Sequence, residues 1–193
     1  MPRLCVFTGS GDGRRPSYRL AAGALGRTLV QRGFDLVYGG ARVGLMGAIA
    51  DAVLDAGGKV TGVIPESLVT REVAHTGLGD LRVVRSMHER KALMAELSDG
   101  FIAMPGGWGT LEELFEVLTW AQLGLHTKPC GLLNVDGYFD PLLAFLTHAS
   151  DEQFVRREHD QWLVVAHRPE ELLDRFASFR PPQVRKWIDR ASS

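Results

Sequence analysis

Short apolar runs alternate with amphipathic segments along almost the whole chain. In the amphipathic segments between the runs, apolar residues recur at helical spacing, and many of these segments end at glycine or proline. Seven strands are predicted: Arg3–Thr8, Phe34–Tyr38, Lys59–Ile64, Leu81–Arg85, Asp99–Met104, Cys130–Val135 and Trp162–Ala166. Six helices are predicted between and after them: Ser17–Arg32, Leu45–Ala56, Met87–Leu97, Thr110–Leu123, Tyr138–Ala149 and Glu170–Phe179. The polar stretch Glu66–Asp80 predicts a loop or a short helix.

Several of the predicted strands are apolar without a period of two, such as the Phe-Ile-Ala-Met run that ends at Met104. This pattern is typical of strands that are covered on both faces. Together with the alternation of strands and helices, it predicts a single-domain α/β fold with a Rossmann-like parallel sheet and helices on both faces. We expect one domain over residues 1–180 and a peripheral C-terminal tail over residues 181–193, beginning at Pro181-Pro182.

The composition is that of a soluble globular protein. The 193 residues carry a net charge of −1, which gives no electrostatic reason to expect nucleic acid or a membrane as a partner. Cys5 and Cys130 lie in apolar runs and are predicted to be buried thiols rather than a disulfide framework. The N-terminus has no apolar signal stretch, so a cytoplasmic location is predicted. The histidines show no metal-ligand spacing.

The strongest chemical signal is the glycine-rich segment Met104–Glu113, which connects a predicted strand to a predicted helix. Gly106, Gly107 and Gly109 lack a Cβ, so their backbone N–H groups can approach a ligand. Thr110 can cap the helix, whose N-terminus adds partial positive charge. These features predict a phosphate cradle. The alternative is a tight turn that requires glycine for a positive φ.

Two other strand ends are rich in glycine. Tyr38–Gly47 lacks the G-x-G-x-x-G spacing of a dinucleotide fingerprint, and its glycines could serve only close helix–strand packing. Phe7–Gly13, which contains Gly9 and Ser10, likewise does not define a binding site by itself. Because ligands of such sheets bind where strands end and helices begin, we expect the three segments to line the same crevice.

Charged residues lie at the start of two of the predicted helices. Arg90 lies in a first turn, where a cation opposes the helix dipole, so we expect it to have an anionic partner. That partner is either a bound substrate or a carboxylate, Glu89 or Glu113. Glu112 and Glu113 are adjacent and point about 100° apart on a helix. One of them can therefore face the crevice while the other meets solvent.

Taken together, these segments resemble the Lonely Guy family of cytokinin-activating nucleoside 5′-monophosphate phosphoribohydrolases. Pro105–Glu113 matches its P-G-G-x-G-T-x-x-E signature, Met87–Lys91 its second motif and Gly39–Gly47 its third. The resemblance extends from about Leu4 to Phe176. Departures at Ala41 and in the Ser-Gly-Asp-Gly run at Ser10 concern the rim of the nucleotide site.

The resemblance implies an enzyme that hydrolyses the N-glycosidic bond of N6-modified adenosine 5′-monophosphates or AMP to the free base and ribose 5-phosphate. No metal or redox cofactor is implied, and the family implies a homodimer with shared active sites. It assigns catalysis to Arg90 and Glu113. The implied substrate-binding residues are Gly9, Ser10, Glu72, Met87, Lys91, Gly106, Gly107, Gly109, Thr110 and Thr119.

The same sequence features are compatible with other functions. A non-catalytic carrier of a nucleotide or of molybdenum cofactor could use a similar glycine-rich fold, but it would not need both Arg90 and Glu113. An NAD-dependent oxidoreductase is disfavoured by the missing G-x-G-x-x-G. Thr119 could simply bond to its own helix. Trp108 could cover the nucleotide rather than lie at a subunit interface.

Overall fold

A computed structural model describes residues 1–69 and 74–182 of the chain. The seven strands are β1 (Arg3–Phe7), β2 (Asp35–Tyr38), β3 (Val60–Pro65), β4 (Asp80–Val84), β5 (Gly100–Ala103), β6 (Cys130–Leu133) and β7 (Leu163–Ala166). The α-helices are α1 (Pro16–Gln31), α2 (Gly44–Asp55), α3 (Glu66–Val69), α4 (Met87–Glu96), α5 (Trp108–Gln122), α6 (Asp140–Asp151) and α7 (Pro169–Ser178). Two 3-10 turns, Val135–Gly137 and Arg157–Trp162, complete the described elements.

The strands form one sheet in the order β4-β3-β2-β1-β5-β6-β7, and every neighbouring pair is parallel. The predicted single-domain, Rossmann-like α/β fold is therefore confirmed. The chain adds strands outward from β1 in one direction up to β4, and β5 then returns to the other side of β1. This reversal creates a switch point between β1 and β5, where the carboxyl ends of parallel strands leave a crevice.

Helices cover both faces of the sheet, which explains why the strands lack alternation. Along β1, Leu4 and Val6 point into the core beneath α1, α2 and α7, while Cys5 and Phe7 point into the core beneath α4 and α5. All four side chains are buried. Cys130 is also buried, and both cysteines are unpaired, as predicted.

The helix boundaries differ from the predictions in two informative places. The helix α5 begins at Trp108 with Gly107 as its N-cap, so Thr110 lies inside the first turn and the prediction that it caps the helix is wrong. The helix α6 begins at Asp140 rather than at Tyr138, because a 3-10 turn with Asp136 at φ 51° precedes it. The predicted peripheral tail lies outside the described residues from position 183 onward.

Candidate active site

A cleft of about 440 Å³ opens at the carboxyl ends of β1, β2, β3 and β5. The three glycine-rich segments follow β1, β2 and β5, which are neighbours in the sheet, so they meet as expected. The cleft is lined by most of the residues that the sequence singles out: Gly9, Ser10, Met87, Arg90, Gly107, Gly109, Thr110 and Glu113.

Backbone hydrogen bonds join the first glycine segment to the other two. The N–H of Gly9 donates to the carbonyl of Pro105 at 3.1 Å, and Thr8 Oγ1 donates to the same oxygen at 3.0 Å. The carbonyl of Gly9 in turn accepts from the N–H of Leu45, in the first turn of α2, at 3.1 Å. These bonds fix the floor of the cleft and leave Ser10 exposed at its edge.

The segment after β5 has the properties of a phosphate cradle rather than of a strained turn. None of Gly106, Gly107 and Gly109 has a positive φ. A Cβ on Gly106 would collide with Thr110 Oγ1, but a Cβ on Gly107 or Gly109 would meet only open space. The chain's own packing therefore does not require glycine at these two positions, whereas a ligand held by backbone N–H groups would.

The first turn of α5 supplies such N–H groups. The N–H of Leu111 donates to the carbonyl of Gly107 at 3.2 Å and is the first in the helix to do so. The N–H groups of Trp108, Gly109 and Thr110 therefore precede the hydrogen-bond ladder of α5. They lie at the positive end of the helix dipole and beside the cleft, which favours an anion there.

Three of the glycines after β2 leave space that neighbouring atoms occupy. A Cβ on Gly39 would collide with Arg90 Nη2, one on Gly44 with the backbone of Ser10, and one on Gly47 with the carbonyl of Arg42. Gly44 also has a φ of 59°. Close packing explains why this segment is rich in glycine. At Gly39 the space left by the missing Cβ is occupied by Arg90, which lines the cleft.

Arg90 is held by the ends of two strands. It is 8% exposed, and it donates from Nε to the carbonyl of Val63 and from Nη2 to that of Gly39, both at 3.1 Å. Glu89 is not its partner, because the carboxylate of Glu89 accepts from the N–H of Arg85 at 2.8 Å. These bonds orient the guanidinium with Nη1 towards Met87 Sδ at 3.7 Å and Glu113 Oε1 at 3.8 Å.

Glu113 is a buried carboxyl group beside this cation. It is 8% exposed, and burial raises its pKa from 4.5 to about 7. The nearby Arg90 lowers the pKa, but at 3.8 Å the pair is too far apart for a short charge-assisted hydrogen bond, so desolvation dominates. A carboxyl group with a pKa near neutrality, facing a cleft, is suited to act as an acid, a base or a charge stabiliser.

Lys91 and Glu112 lie beside this pair and are bound to each other. Lys91 Nζ donates to Glu112 Oε1 at 2.5 Å and to Glu116 Oε1 at 3.0 Å, which ties α4 to α5. The side chain of Glu112 is 55% exposed, whereas that of Glu113 is 11% exposed. Of the two adjacent carboxylates, Glu113 therefore faces Arg90. Lys91 itself does not line the cleft.

Among the described candidate residues, Thr119 and Gly106 do not line the cleft. Thr119 Oγ1 donates to the carbonyl of Phe115 at 2.7 Å within α5, and its side chain lines a separate apolar groove between α5 and α6. Glu72 lies outside the described residues. Gly106 lies behind the cradle, where its missing Cβ leaves space for Thr110.

The apolar part of the cleft was not predicted from the sequence. Val43, Met46, Ile64 and Leu68 contribute to its lining together with Met87, a surface that suits a planar base. Val43 and Met46 lie within the second glycine segment, so their position along the chain was a usable signal. The carbonyls of Val63 and Gly39 gave no signal, because a backbone acceptor is present at every residue.

Within residues 1–69 and 74–182, no group of three or more His, Cys, Asp or Glu side chains could hold a metal ion. None of the helices in this part of the chain is long and apolar enough to cross a bilayer.

Comparison with known proteins agrees with these features. Residues 46–176 match the family model described as "Possible lysine decarboxylase". Cytokinin riboside 5′-monophosphate phosphoribohydrolase LOG of Oryza sativa subsp. japonica is 52% identical over 93% of this chain and 74% of that protein. The Arabidopsis thaliana protein of the same name, LOG4, is 51% identical over 93% of this chain and 83% of that protein.

Solved structures share the fold. The molybdenum cofactor binding protein of Rippkaea orientalis has a TM-score of 0.70 at 25% identity and covers 92% of this chain and 96% of its own. The molybdenum cofactor carrier protein of Chlamydomonas reinhardtii has a TM-score of 0.67 at 20% identity, with 92% and 99% covered, and shows the fold alone. The sequence relatives are far closer, and the chain belongs to the Lonely Guy family of cytokinin riboside 5′-monophosphate phosphoribohydrolases.

Proposed function

We propose that this protein hydrolyses the N-glycosidic bond of adenosine 5′-monophosphates, with or without an N6 substituent, to the free base (a cytokinin or adenine) and ribose 5-phosphate. The observation that carries the proposal is the Arg90–Glu113 pair, buried in a cleft whose rim is a helix N-terminus rich in glycine. Relatives named for this reaction are about 52% identical over 93% of the chain, which supports the same chemistry here.

The 5′-phosphate binds at the first turn of α5 in this proposal. The N–H groups around Gly107 and Gly109 and the hydroxyl of Thr110 hold its oxygens, because these groups lie at the positive end of a helix and carry no obstructing side chain. Gly9 lies at the floor of the cleft beside this cradle, Gly106 lies behind it, and Ser10 lies at its edge. The base then lies on the apolar lining near Met87.

Glycosidic cleavage develops positive charge on the ribose. In its ionised form Glu113 stabilises that charge, and it also holds the ribose hydroxyls or an attacking water. Arg90 orients the ribose phosphate or assists the departing base through Nη1, while Nε and Nη2 remain bound to the strand carbonyls. Lys91 contributes indirectly, because its bonds to Glu112 and Glu116 fix α5 against α4.

The carrier alternative is less well supported. The molybdenum cofactor proteins are the fold's structural neighbours at 20–25% identity, and fold alone does not decide function. A carrier gains nothing from a buried carboxyl group with its pKa raised to about 7 beside a clamped arginine. The lysine decarboxylase description also lacks support, since none of the described lysines lines the cleft where a Schiff base would form.

We further propose that the protein is a homodimer with shared active sites. Trp108, at the mouth of the cleft, is 90% exposed, and Leu123 at the far end of α5 is 57% exposed. The apolar groove that contains Thr119 lies along the same helix, and a second subunit seated there would let Thr119 serve the neighbouring cleft. Light scattering should give twice the 21.2 kDa chain mass, and a fully active monomer would overturn this proposal.

A cytoplasmic location is also proposed. Its support is that Cys5 and Cys130 are both buried and unpaired, which suits a reducing compartment. Fractionation of the source cells tests it.

The reaction is tested by incubating the purified protein, without added metal or NAD, with AMP and with N6-isopentenyl-AMP. Chromatography should detect adenine and N6-isopentenyladenine together with ribose 5-phosphate in stoichiometric amounts. The ratio of the two rates identifies the preferred base. Binding of both nucleotides without release of either base would favour a carrier and overturn the proposal.

A further inference from the structure

Tyr138 lies outside the cleft and outside the three glycine-rich segments, yet it contacts the phosphate cradle. Its hydroxyl donates a hydrogen bond to the carbonyl oxygen of Gly106 at 2.5 Å. The two residues are 32 positions apart, and Tyr138 is not part of the cleft lining. The hydroxyl therefore approaches the glycine segment from behind.

The geometry of the peptide bond makes this contact relevant to binding. The carbonyl of Gly106 and the N–H of Gly107 belong to one planar trans peptide group, so they point in opposite directions. Tyr138 holds the carbonyl on the outer side, while Gly107 lines the cleft. No side chain at Gly106 or Gly107 restricts rotation of this group, so the hydrogen bond from the Tyr138 hydroxyl is a direct restraint on its orientation.

The turn that carries Tyr138 is itself well anchored. Asn134, which is 1% exposed, accepts from the N–H of Phe139 at 2.8 Å through Oδ1 and donates through Nδ2 to Asp140 at 2.7 Å. Ser17 Oγ donates to Asp136 Oδ2 at 2.5 Å, which ties the turn to the start of α1. A side chain whose neighbours are fixed in this way can hold its partner at a defined position.

An aromatic pair extends the support to the first glycine segment. The rings of Tyr18 and Tyr138 meet edge to face with centroids 5.6 Å apart. Gly13, with a φ of 71°, lies so close to the Tyr18 ring that a Cβ would come within 2.8 Å of it. The Tyr138 ring is therefore held by packing that does not involve its hydroxyl. A substitution that removes only the hydroxyl should leave the ring in place.

We propose that Tyr138 is a positioning residue for the phosphate cradle: its hydroxyl fixes the Gly106–Gly107 peptide group so that the Gly107 N–H faces the substrate phosphate. Donation to the carbonyl also polarises the peptide group and makes its N–H a better donor. The inference rests on the proposed function only for the identity of the phosphorylated ligand.

The test compares Tyr138→Phe, which keeps the ring, with Tyr18→Phe, which removes the hydroxyl of the other ring in the pair. Calorimetric titration with ribose 5-phosphate should give a Kd about 5- to 10-fold higher for Tyr138→Phe, the effect of one weakened hydrogen bond, and an unchanged Kd for Tyr18→Phe. The affinity for adenine, which carries no phosphate, should be equal in all three proteins. With AMP as substrate, Tyr138→Phe should raise KM by a similar factor with little change in kcat.

An unchanged Kd for ribose 5-phosphate in Tyr138→Phe would overturn the inference. So would a parallel weakening of ribose 5-phosphate and adenine, because that result indicates a general structural role. This test does not depend on the proposed reaction. If the wild-type protein binds ribose 5-phosphate but releases no base from AMP, the proposed function fails. The titration then still decides the role of Tyr138.

Discussion

The carbonyl oxygen of Gly39 accepts a hydrogen bond from Arg90 Nη2 at 3.1 Å, and a Cβ on Gly39 would collide with that same nitrogen. The end of β2 thus both binds the guanidinium and leaves the space that it occupies. Arg90 lies in the first turn of α4, where the helix dipole disfavours a cation, and strand carbonyls offset that cost. The position of the candidate catalytic cation therefore depends on a glycine 51 residues away.

The first prediction concerns this glycine. Gly39→Ala should displace the guanidinium by about 1 Å or more and lower kcat/KM for AMP by about 10²-fold, the usual effect of misplacing a catalytic group. Gly79→Ala is the matched control, because a Cβ there meets no neighbouring atom and Gly79 has no positive φ. Steady-state kinetics on both variants make the comparison. An active Gly39→Ala protein would show that the clamp is not needed for turnover.

Arg90→Lys tests the forked geometry of the guanidinium. A lysine ammonium carries all its N–H groups on one nitrogen and cannot reproduce the separate contacts of Nε, Nη2 and Nη1, so we expect kcat/KM to fall by about 10²-fold or more. Arg85→Lys, at an exposed position before α4, should retain activity. Circular dichroism must confirm that both variants are folded. Retention of wild-type activity by Arg90→Lys would contradict the proposed role.

The two adjacent glutamates should behave differently. Glu113→Gln keeps the shape of the side chain but removes the buried charge, so turnover should fall by about 10²-fold or more, as expected for one preorganised electrostatic group. Glu112→Gln alters a side chain that is 55% exposed and bound to Lys91, and its effect on kcat should be small. The reverse order of effects would mean that Glu112 is the functional carboxylate.

Glu113 should also make stability depend on pH. Burial raises its pKa from 4.5 to about 7 in the folded protein, so the folded state binds the proton more tightly than the unfolded state. Its contribution to stability is present below about pH 4.5 and is lost as the pH rises through about 7. The free energy of unfolding of wild type relative to Glu113→Gln should therefore fall by about 2–3 kcal/mol between pH 5 and pH 8.

Urea denaturation of both proteins at several pH values measures this difference, with Glu112→Gln as the control. Parallel pH profiles of the wild type and Glu113→Gln would show that the buried carboxyl group has an ordinary pKa.

The sequence predicted the fold well because its signals are local. The strands are short apolar runs and the long helices have apolar residues at helical spacing, neither of which depends on distant residues, and glycine at three strand ends marked the cleft. The contacts that position the chemistry are not local. Arg90 donates to the backbone carbonyls of Val63 and Gly39, and Tyr138 donates to that of Gly106. Every residue has a backbone carbonyl, so the sequence does not show which of them accept these bonds.

Helix boundaries were harder to predict from the sequence, because they too depend on the folded backbone. Thr110 is a good capping residue in isolation, but the backbone at Gly107 already begins the helix and Trp108 joins its first turn. Position along the chain also could not show that Lys91 binds Glu112 and Glu116 instead of lining the cleft, because all three residues follow strand ends that meet only in the folded sheet.

The most direct test of the central claim is the ratio of kcat/KM for AMP to that for adenosine, measured by release of adenine without added metal or NAD. If the glycine-rich start of α5 binds the 5′-phosphate and Arg90 and Glu113 cleave the glycosidic bond, AMP should be turned over at least about 10²-fold more efficiently than adenosine, since several charge-assisted hydrogen bonds are lost with the phosphate. Equal efficiency with the two substrates, or no release of adenine from AMP, would contradict the account.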